Sequence, residues 1–178
     1  MRKIKLYIAI SLNGKIAAKD GSVDWLETIP RPEDSDYGYT DFYSSVDTTI
    51  QGYNTYRQII GWGIEFPYKE KKNYVLTKRE NIKNAEFVEF INKEPVDFIK
   101  KLKEEKGSDI WLIGGGKANT LILNAGLLDE IHVFVMPIIL SGGIDLFDAF
   151  PKETHLRLFE TVTFESGAIG LKYKVEQA

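Results

Sequence analysis

Residues 109–131 read DIWLIGGGKANTLILNAGLLDEI. An apolar run from Asp109 to Ile113 reads as a buried strand. It meets three consecutive glycines, Gly114, Gly115 and Gly116, and then a segment of helical spacing from Lys117 that stops at Gly126. Each glycine costs backbone entropy on folding relative to alanine, so three together need a physical reason. One reason is a ligand. A parallel strand feeding a helix leaves the first-turn N–H groups at the carboxyl edge of the sheet, where they and the helix dipole attract a phosphate, and glycine lets that anion reach the backbone. The other reason is a tight turn with close strand–helix packing. The glycines alone leave both open.

The same alternation extends in both directions. Segments 4–10 (IKLYIAI), 47–52 (DTTIQG), 73–77 (NYVLT) and 86–90 (EFVEF) carry the β-branched and aromatic residues of strands. Segment 35–46 (SDYGYTDFYSSV) predicts a short helix capped by Ser35 or Asp36, and 54–60 (NTYRQII) a second helix begun at Asn54. Segment 94–107 (EPVDFIKKLKEEKG) is the clearest helix. Pro95 sits in its first turn, Val96, Phe98, Ile99 and Leu102 form its apolar stripe, and Gly107 ends it. Segment 130–140 (EIHVFVMPIIL) is a strand stopped by Pro137, and 156–176 alternates on both sides of Ser166-Gly167, as a hairpin does. Strands alternating with helices and closed by a hairpin predict an α/β fold: a mixed, mainly parallel sheet flanked by helices, with a C-terminal antiparallel hairpin, in a single domain over 1–178.

Composition narrows the chemistry. A formal net charge of −3 and a pI near 5.5 argue against bulk binding to nucleic acid or an anionic membrane. The chain has no cysteine, which removes disulfides, thiolate nucleophiles and zinc–cysteine sites and fits a cytoplasmic protein. Its two histidines, His132 and His155, lie far apart in sequence and form no metal cluster. The opening MRKIKLYIAISLNGK turns polar too soon for a signal peptide, and no stretch is long enough to cross a bilayer. The lysine runs at 69–72 and 100–106 read as solvated surface.

Standard nucleotide fingerprints do not fit. G-x-G-x-x-G would need glycine where Asn119 stands, and a P-loop would need glycine at Trp111. Four segments in order instead resemble the dihydrofolate reductase-like superfamily, above all the reductase (RibD C-terminal) domain of the riboflavin-pathway deaminase-reductase. YIAISLNGKIAAKDGSVDW is similar to its first strand and active-site loop. TTIQGYNTYRQI is similar to the segment usually written MGRxTYE, and NYVLTKRE to the next strand and phosphate-binding turn. WLIGGGKANTLILNAGLLDEIHVFVMPIILSGGIDLF is similar to the glycine turn, its helix and the loop beyond.

That resemblance implies an NADPH-dependent reductase of a small nitrogen heterocycle, with a ribosylamino-pyrimidinedione phosphate as the nearest substrate and dihydrofolate as a second class. It also implies a homodimer. Gly114, Gly115, Gly116, Lys117, Ala118 and Asn119 would hold the cofactor diphosphate, joined by Gly52, Tyr53, Asn54 and Thr55 at a second helix. Thr77, Lys78 and Arg79 would hold the adenosine 2′-phosphate, where a hydroxyl and two cations suit a dianion. Ile8, Ala9 and Ile16 would line the nicotinamide site, with Asn13 and Gly14 in the adjoining loop. Ile8, Trp25 and Tyr37 would meet the substrate.

The sequence departs from the pattern at three places. Tyr53 stands where the motif has arginine, Asn13 where the loop often has aspartate, and the acid expected five residues after the loop tryptophan is Pro30. Counting back from Gly52 puts that acid at Asp36. Asp24, beside Trp25, is the other candidate, and Asp41 a weaker third. A carboxyl group in an apolar cleft has a raised pKa and can pass a proton to the substrate. The same aspartates also suit turn or helix caps. A nucleotide-binding protein of this fold that has lost turnover is the competing reading.

Overall fold

The computed structural model describes residues 1–30 and 35–176. Among the described residues there are ten strands: β1 (Ile4–Ser11), β2 (Lys15–Ala17), β3 (Val46–Gly52), β4 (Lys72–Leu76), β5 (Val88–Ile91), β6 (Asp109–Gly114), β7 (Glu130–Met136), β8 (Ile144–Asp145), β9 (Leu156–Thr163) and β10 (Ile169–Val175). Four α-helices join them: α1 (Tyr39–Ser44), α2 (Tyr53–Gly61), α3 (Pro95–Glu104) and α4 (Gly116–Asn124). Eight strands form one sheet in the order β5-β4-β3-β6-β1-β7-β10-β9. From β5 to β7 every pairing is parallel; β10 runs antiparallel to both β7 and β9. The expected mixed sheet with a C-terminal hairpin is therefore what forms.

The sheet buries both faces, as parallel strands with crossover helices do. On one face Ile4, Leu6, Ile50, Ile110 and Leu112 pack against Ile99 and Leu102 of α3 and Ile122 of α4, all of them fully or almost fully buried. Each such side chain contributes about 1.5–3 kcal/mol through burial. On the other face Phe42 of α1 and Ile59 of α2 cover Val46 and Trp111. Helices of opposite faces thus begin at the same edge of the sheet, where the parallel strands end.

Three expectations need correcting. The helix expected to run to Gly107 ends at Glu104, because Glu105 is already extended. The lysine runs are not all solvated. Lys103 is 5% exposed, paired with Asp129 and donating to the Leu127 carbonyl; Lys71 donates to the carbonyls of Tyr43 and Val46. Ile99, Leu102 and Lys103 are spaced i, i+3, i+4, so helical geometry places the lysine on the buried stripe. Last, the segment after β1 that resembles an active-site loop holds the short strand β2, which pairs with β8, and a 3-10 turn over Asp24–Thr28.

Candidate active site

The carboxyl edge is built from β3, β6 and β1, which are neighbours in the sheet. β3 runs straight into α2 and β6 into α4, and both helices are capped by glycine, Gly52 and Gly115, with no side-chain cap. The first-turn N–H groups of a helix have no intrahelical partner. Among the described residues no N-cap side chain takes them. The two helix starts also converge. A Cβ placed on Gly52 would lie 3.8 Å from the Ala118 Cβ, 3.8 Å from the Gly114 carbonyl oxygen and 3.9 Å from the Gly115 nitrogen. Two partial positive charges, each about half an elementary charge, therefore face the same crevice.

The three glycines have different tasks. Gly114 has φ +122°, a conformation that side chains rarely adopt, and its peptide bond to Gly115 is cis. A Cβ on Gly115 would stand 3.3 Å from Thr55 Oγ1 and 3.7 Å from Ile16 Cδ1, so this residue faces the side chains of Thr55 in α2 and Ile16 in β2. A Cβ on Gly116 would lie 2.5 Å from the Asp145 carbonyl oxygen and 3.2 Å from the Asp148 nitrogen. Gly116 is thus a packing glycine. Asn119 is likewise drawn into the fold: fully buried, it donates to the Leu146 carbonyl, and its N–H is bonded to the Gly115 carbonyl. Ala118 is buried and Lys117 exposed.

Ile8 of β1 and Ile16 of β2 do reach the glycine turn; Ile8 Cδ1 would be 3.5 Å from a Cβ on Gly114. Asn13 does not offer its side chain there. Its Oδ1 accepts from Ser11 Oγ (2.8 Å) and the Leu140 nitrogen (3.1 Å), and its Nδ2 donates to the Leu140 carbonyl (2.9 Å). Asn13 and Gly14, which has φ +78°, close a turn tied to the segment after β7.

Thr77, Lys78 and Arg79 follow β4, next to β3, on the same edge. Thr77 Oγ1 accepts the Arg79 N–H (3.1 Å), and the Arg79 carbonyl accepts from Asn92 Nδ2 (3.2 Å). The Arg79 guanidinium lies over the Tyr53 ring, 4.4 Å from its centroid. Asn54 is exposed beside it.

On the α1 side, β1 presents Tyr7 and Ala9 to an aromatic cluster. Tyr7 stacks on Phe42 at 4.4 Å and meets Tyr39, Trp111 and Phe134, and burial pushes its phenol well above the ordinary tyrosine range. Trp25 and Tyr37 join at the Phe134 end. The Tyr37 hydroxyl bonds to Ser166 Oγ (3.0 Å) in the hairpin turn, and its carbonyl accepts from Tyr7 (3.1 Å). Trp25 Nε1 and both ends of the fully buried Gln51 amide have no hydrogen-bond partner among the described residues. Sequence reasoning named neither Tyr7 nor Gln51. The alternation of Tyr7 with Ala9 along β1 was the available signal.

The carboxylates depart from expectation. Asp36 is exposed, not set in an apolar cleft. Its Oδ1 accepts the Gly38 N–H and its Oδ2 the Thr40 N–H, each at 2.8 Å, and bonding from Thr40 and Gly38 lowers its pKa to about 2. The expected rise is reversed because the charged form is the one that is hydrogen-bonded. Asp24, at the start of the 3-10 turn, and Asp41 in α1 are exposed as well. His132 is a sheet residue of β7, bonded to Glu130 at 3.1 Å, with its pKa lowered by burial. No group of three or more metal-ligating side chains is found among the described residues.

Comparison with known proteins identifies the family and the fold. Residues 2–169 match the family profile described as RibD C-terminal domain. A Bacillus subtilis (strain 168) protein described as uncharacterized, YwjB, is 42% identical over 172 residues, covering 97% of each chain. A Shewanella sp. PV-4 structure, provisionally described as a riboflavin biosynthesis protein, is 27% identical with a TM-score of 0.87, over 98% of this chain and 99% of that one. The Thermotoga maritima diaminohydroxyphosphoribosylaminopyrimidine deaminase/5-amino-6-(5-phosphoribosylamino)uracil reductase shares the fold, with a TM-score of 0.73 at 15% identity, over 98% of this chain and 56% of that one. So does Enterococcus faecalis dihydrofolate reductase, solved with NADP(H), with a TM-score of 0.66 at 14% identity, over 98% and 97%. The chain belongs to the RibD C-terminal domain family and has the dihydrofolate reductase-like fold.

Proposed function

We propose that the protein is an NADPH-dependent reductase, a single domain over 1–178, acting on a small nitrogen heterocycle of the ribosylamino-pyrimidinedione or pteridine class. The observation that carries this reading is the convergence of two glycine-capped helix starts at one sheet edge, a preformed cradle for a diphosphate. The fit extends to both ends of a dinucleotide. Lys78 and Arg79 supply cations for a 2′-phosphate, and Ile8, Ala9 and Ile16 supply an apolar wall for a nicotinamide. When bound, NADPH supplies the hydride.

The chain's own residues position and shield. The N–H groups of Gly115, Gly116 and Lys117 and the start of α2 (Gly52 to Thr55) hold the diphosphate. Trp25, Tyr37 and Tyr7 wall the substrate side and exclude water. The proton must come from elsewhere than Asp36, which is ionised at neutral pH; in this role Asp36 orients α1 and water delivers the proton. Asp24 is the alternative donor. The competing reading is a nucleotide-binding protein without turnover. The protein acts in the cytoplasm as a homodimer through the exposed edge strand β9, which carries Leu156, Leu158, Phe159 and Val162 at its surface. Oxidation of NADPH across a panel of pyrimidines and pteridines tests the enzyme reading. Sustained turnover with one class supports it. Tight NADPH binding with no turnover on any member leaves the binding protein.

A further inference from the structure

The cation expected at position 53 is missing from the sequence, yet a cation stands over that position. Arg79, twenty-six residues further along, lies over the Tyr53 ring at 4.4 Å. Tyr53 is the first residue of α2, and its own ring is set against Tyr56 and Phe90, each with centroids 6.2 Å away. The Arg79 backbone is held at both its N–H and its carbonyl. Among the described residues no carboxylate pairs with its guanidinium and no acceptor takes its side-chain N–H groups. An arginine that is oriented by a ring face, anchored through its backbone and unpaired with any described carboxylate is arranged to bind an anion. Cation–π contact at such an exposed place is worth enough to bias a flexible side chain, and guanidinium geometry suits a phosphate monoester.

We infer that Tyr53 is a positioning residue for cofactor selectivity: its ring holds Arg79 at the mouth of β4, where a nucleoside 2′-phosphate docks. The inference rests on the proposed NADPH site and deepens it. The phosphate binds to the arginine; the tyrosine acts through the arginine and touches no reacting atom. Only the phosphorylated cofactor senses the loss of the ring, because NADH presents a hydroxyl at that position.

Equilibrium titration of NADPH and of NADH against the parent, Tyr53→Phe, Tyr53→Leu, Arg79→Ala and the Tyr53→Leu/Arg79→Ala double variant tests it, with circular dichroism as the check on folding. Tyr53→Leu is expected to lower the preference for NADPH over NADH by about two- to fivefold. Tyr53→Phe keeps the ring and should keep the parent's preference for NADPH over NADH. Arg79→Ala should weaken NADPH tenfold or more, and the double variant should be no worse than Arg79→Ala alone, since both changes remove one interaction. Tyr53→Met gives the same comparison if the leucine variant does not fold. If Arg79→Ala lowers NADPH selectively while Tyr53→Leu does not, or Tyr53→Phe is as poor as Tyr53→Leu, the tyrosine's role is refuted and the site stands. If Arg79→Ala leaves the NADPH-to-NADH ratio unchanged, the phosphate does not dock here and the inference falls with that assignment.

Discussion

Gly115 and Gly116 are neighbours in sequence, yet a methyl group added to each should do opposite things. At Gly115 the backbone is extended (φ −76°, ψ −167°), which alanine adopts freely, and the new Cβ would meet Thr55 Oγ1 at 3.3 Å and Ile16 Cδ1 at 3.7 Å. Those neighbours need to give by only a few tenths of an ångström. Gly115→Ala should therefore change stability by less than about 1 kcal/mol. The methyl group would, however, fill the gap through which a diphosphate reaches the backbone, and NADPH affinity should fall at least tenfold, about 1.4 kcal/mol. At Gly116 the new Cβ would lie 2.5 Å from a backbone carbonyl oxygen, that of Asp145, which cannot swing aside. Overpacking of this kind costs about 1–3 kcal/mol. In a chain of this length that lowers Tm by about 2–12 °C. Thermal unfolding and NADPH titration of both variants separate the two effects. A Gly115→Ala protein that folds and binds NADPH like the parent would show that the glycine turn serves packing alone.

The charges give further expectations. Replacing Lys78 and Arg79 together with alanine should cost NADPH binding about 1.5–3 kcal/mol and leave NADH nearly unaffected, as read by titration. Asp36→Asn should lower turnover by less than about tenfold on a genuine substrate, since Asp36 holds no proton at neutral pH; a loss of about 10²–10⁴-fold would make it the acid after all. The folded-state pKa of Asp36 lies below its unfolded value, so the stability it gives is present above the ordinary aspartate range and is lost as pH falls through about 2. In Asp36→Asn the acid dependence read from urea melts should be smaller, with the share of Asp20, Asp109 and Glu130 remaining. His132 has its pKa lowered by burial, so the unfolded chain takes up its proton first and stability should fall as pH drops below about 6.5. Proton NMR titration should find one of the two histidines with a midpoint below 6.5, and His132→Phe should abolish that resonance.

Much of the fold was legible because parallel strands, crossover helices and a terminal hairpin each leave a periodic trace. β2 and β8 were not: three and two residues carry no period, and their pairing joins segments about 130 residues apart. Lys103 shows a signal overruled by composition. Its spacing from Ile99 placed it on the buried stripe, but its partner Asp129 lies on the turn before β7, which the local charge run could not reveal. The glycine turn was legible as a site, while the division of labour within it was not, since only the packed structure brings the Asp145 carbonyl onto Gly116. The carboxylate stayed ambiguous for a physical reason. A helix start wants an aspartate and so does a proton donor, and sequence does not say whether the carboxylate turns toward backbone N–H groups or toward a cleft. At Asp36 it turns toward the backbone. The cation over Tyr53 was out of reach for the same reason as β8: it comes from a distant segment, the one that follows β4.

The claim on which the rest depends is that a dinucleotide diphosphate lies between the starts of α2 and α4. A crystal structure of the protein with NADPH bound tests it directly. The account predicts the diphosphate against the N–H groups of Gly115, Gly116 and Lys117, facing the first turn of α2, with the 2′-phosphate at Lys78 and Arg79 and the nicotinamide beside Ile8, Ala9 and Ile16. Cofactor bound elsewhere on the molecule, or a diphosphate at this edge with its nicotinamide turned away from the Tyr7–Trp25 wall, would contradict it.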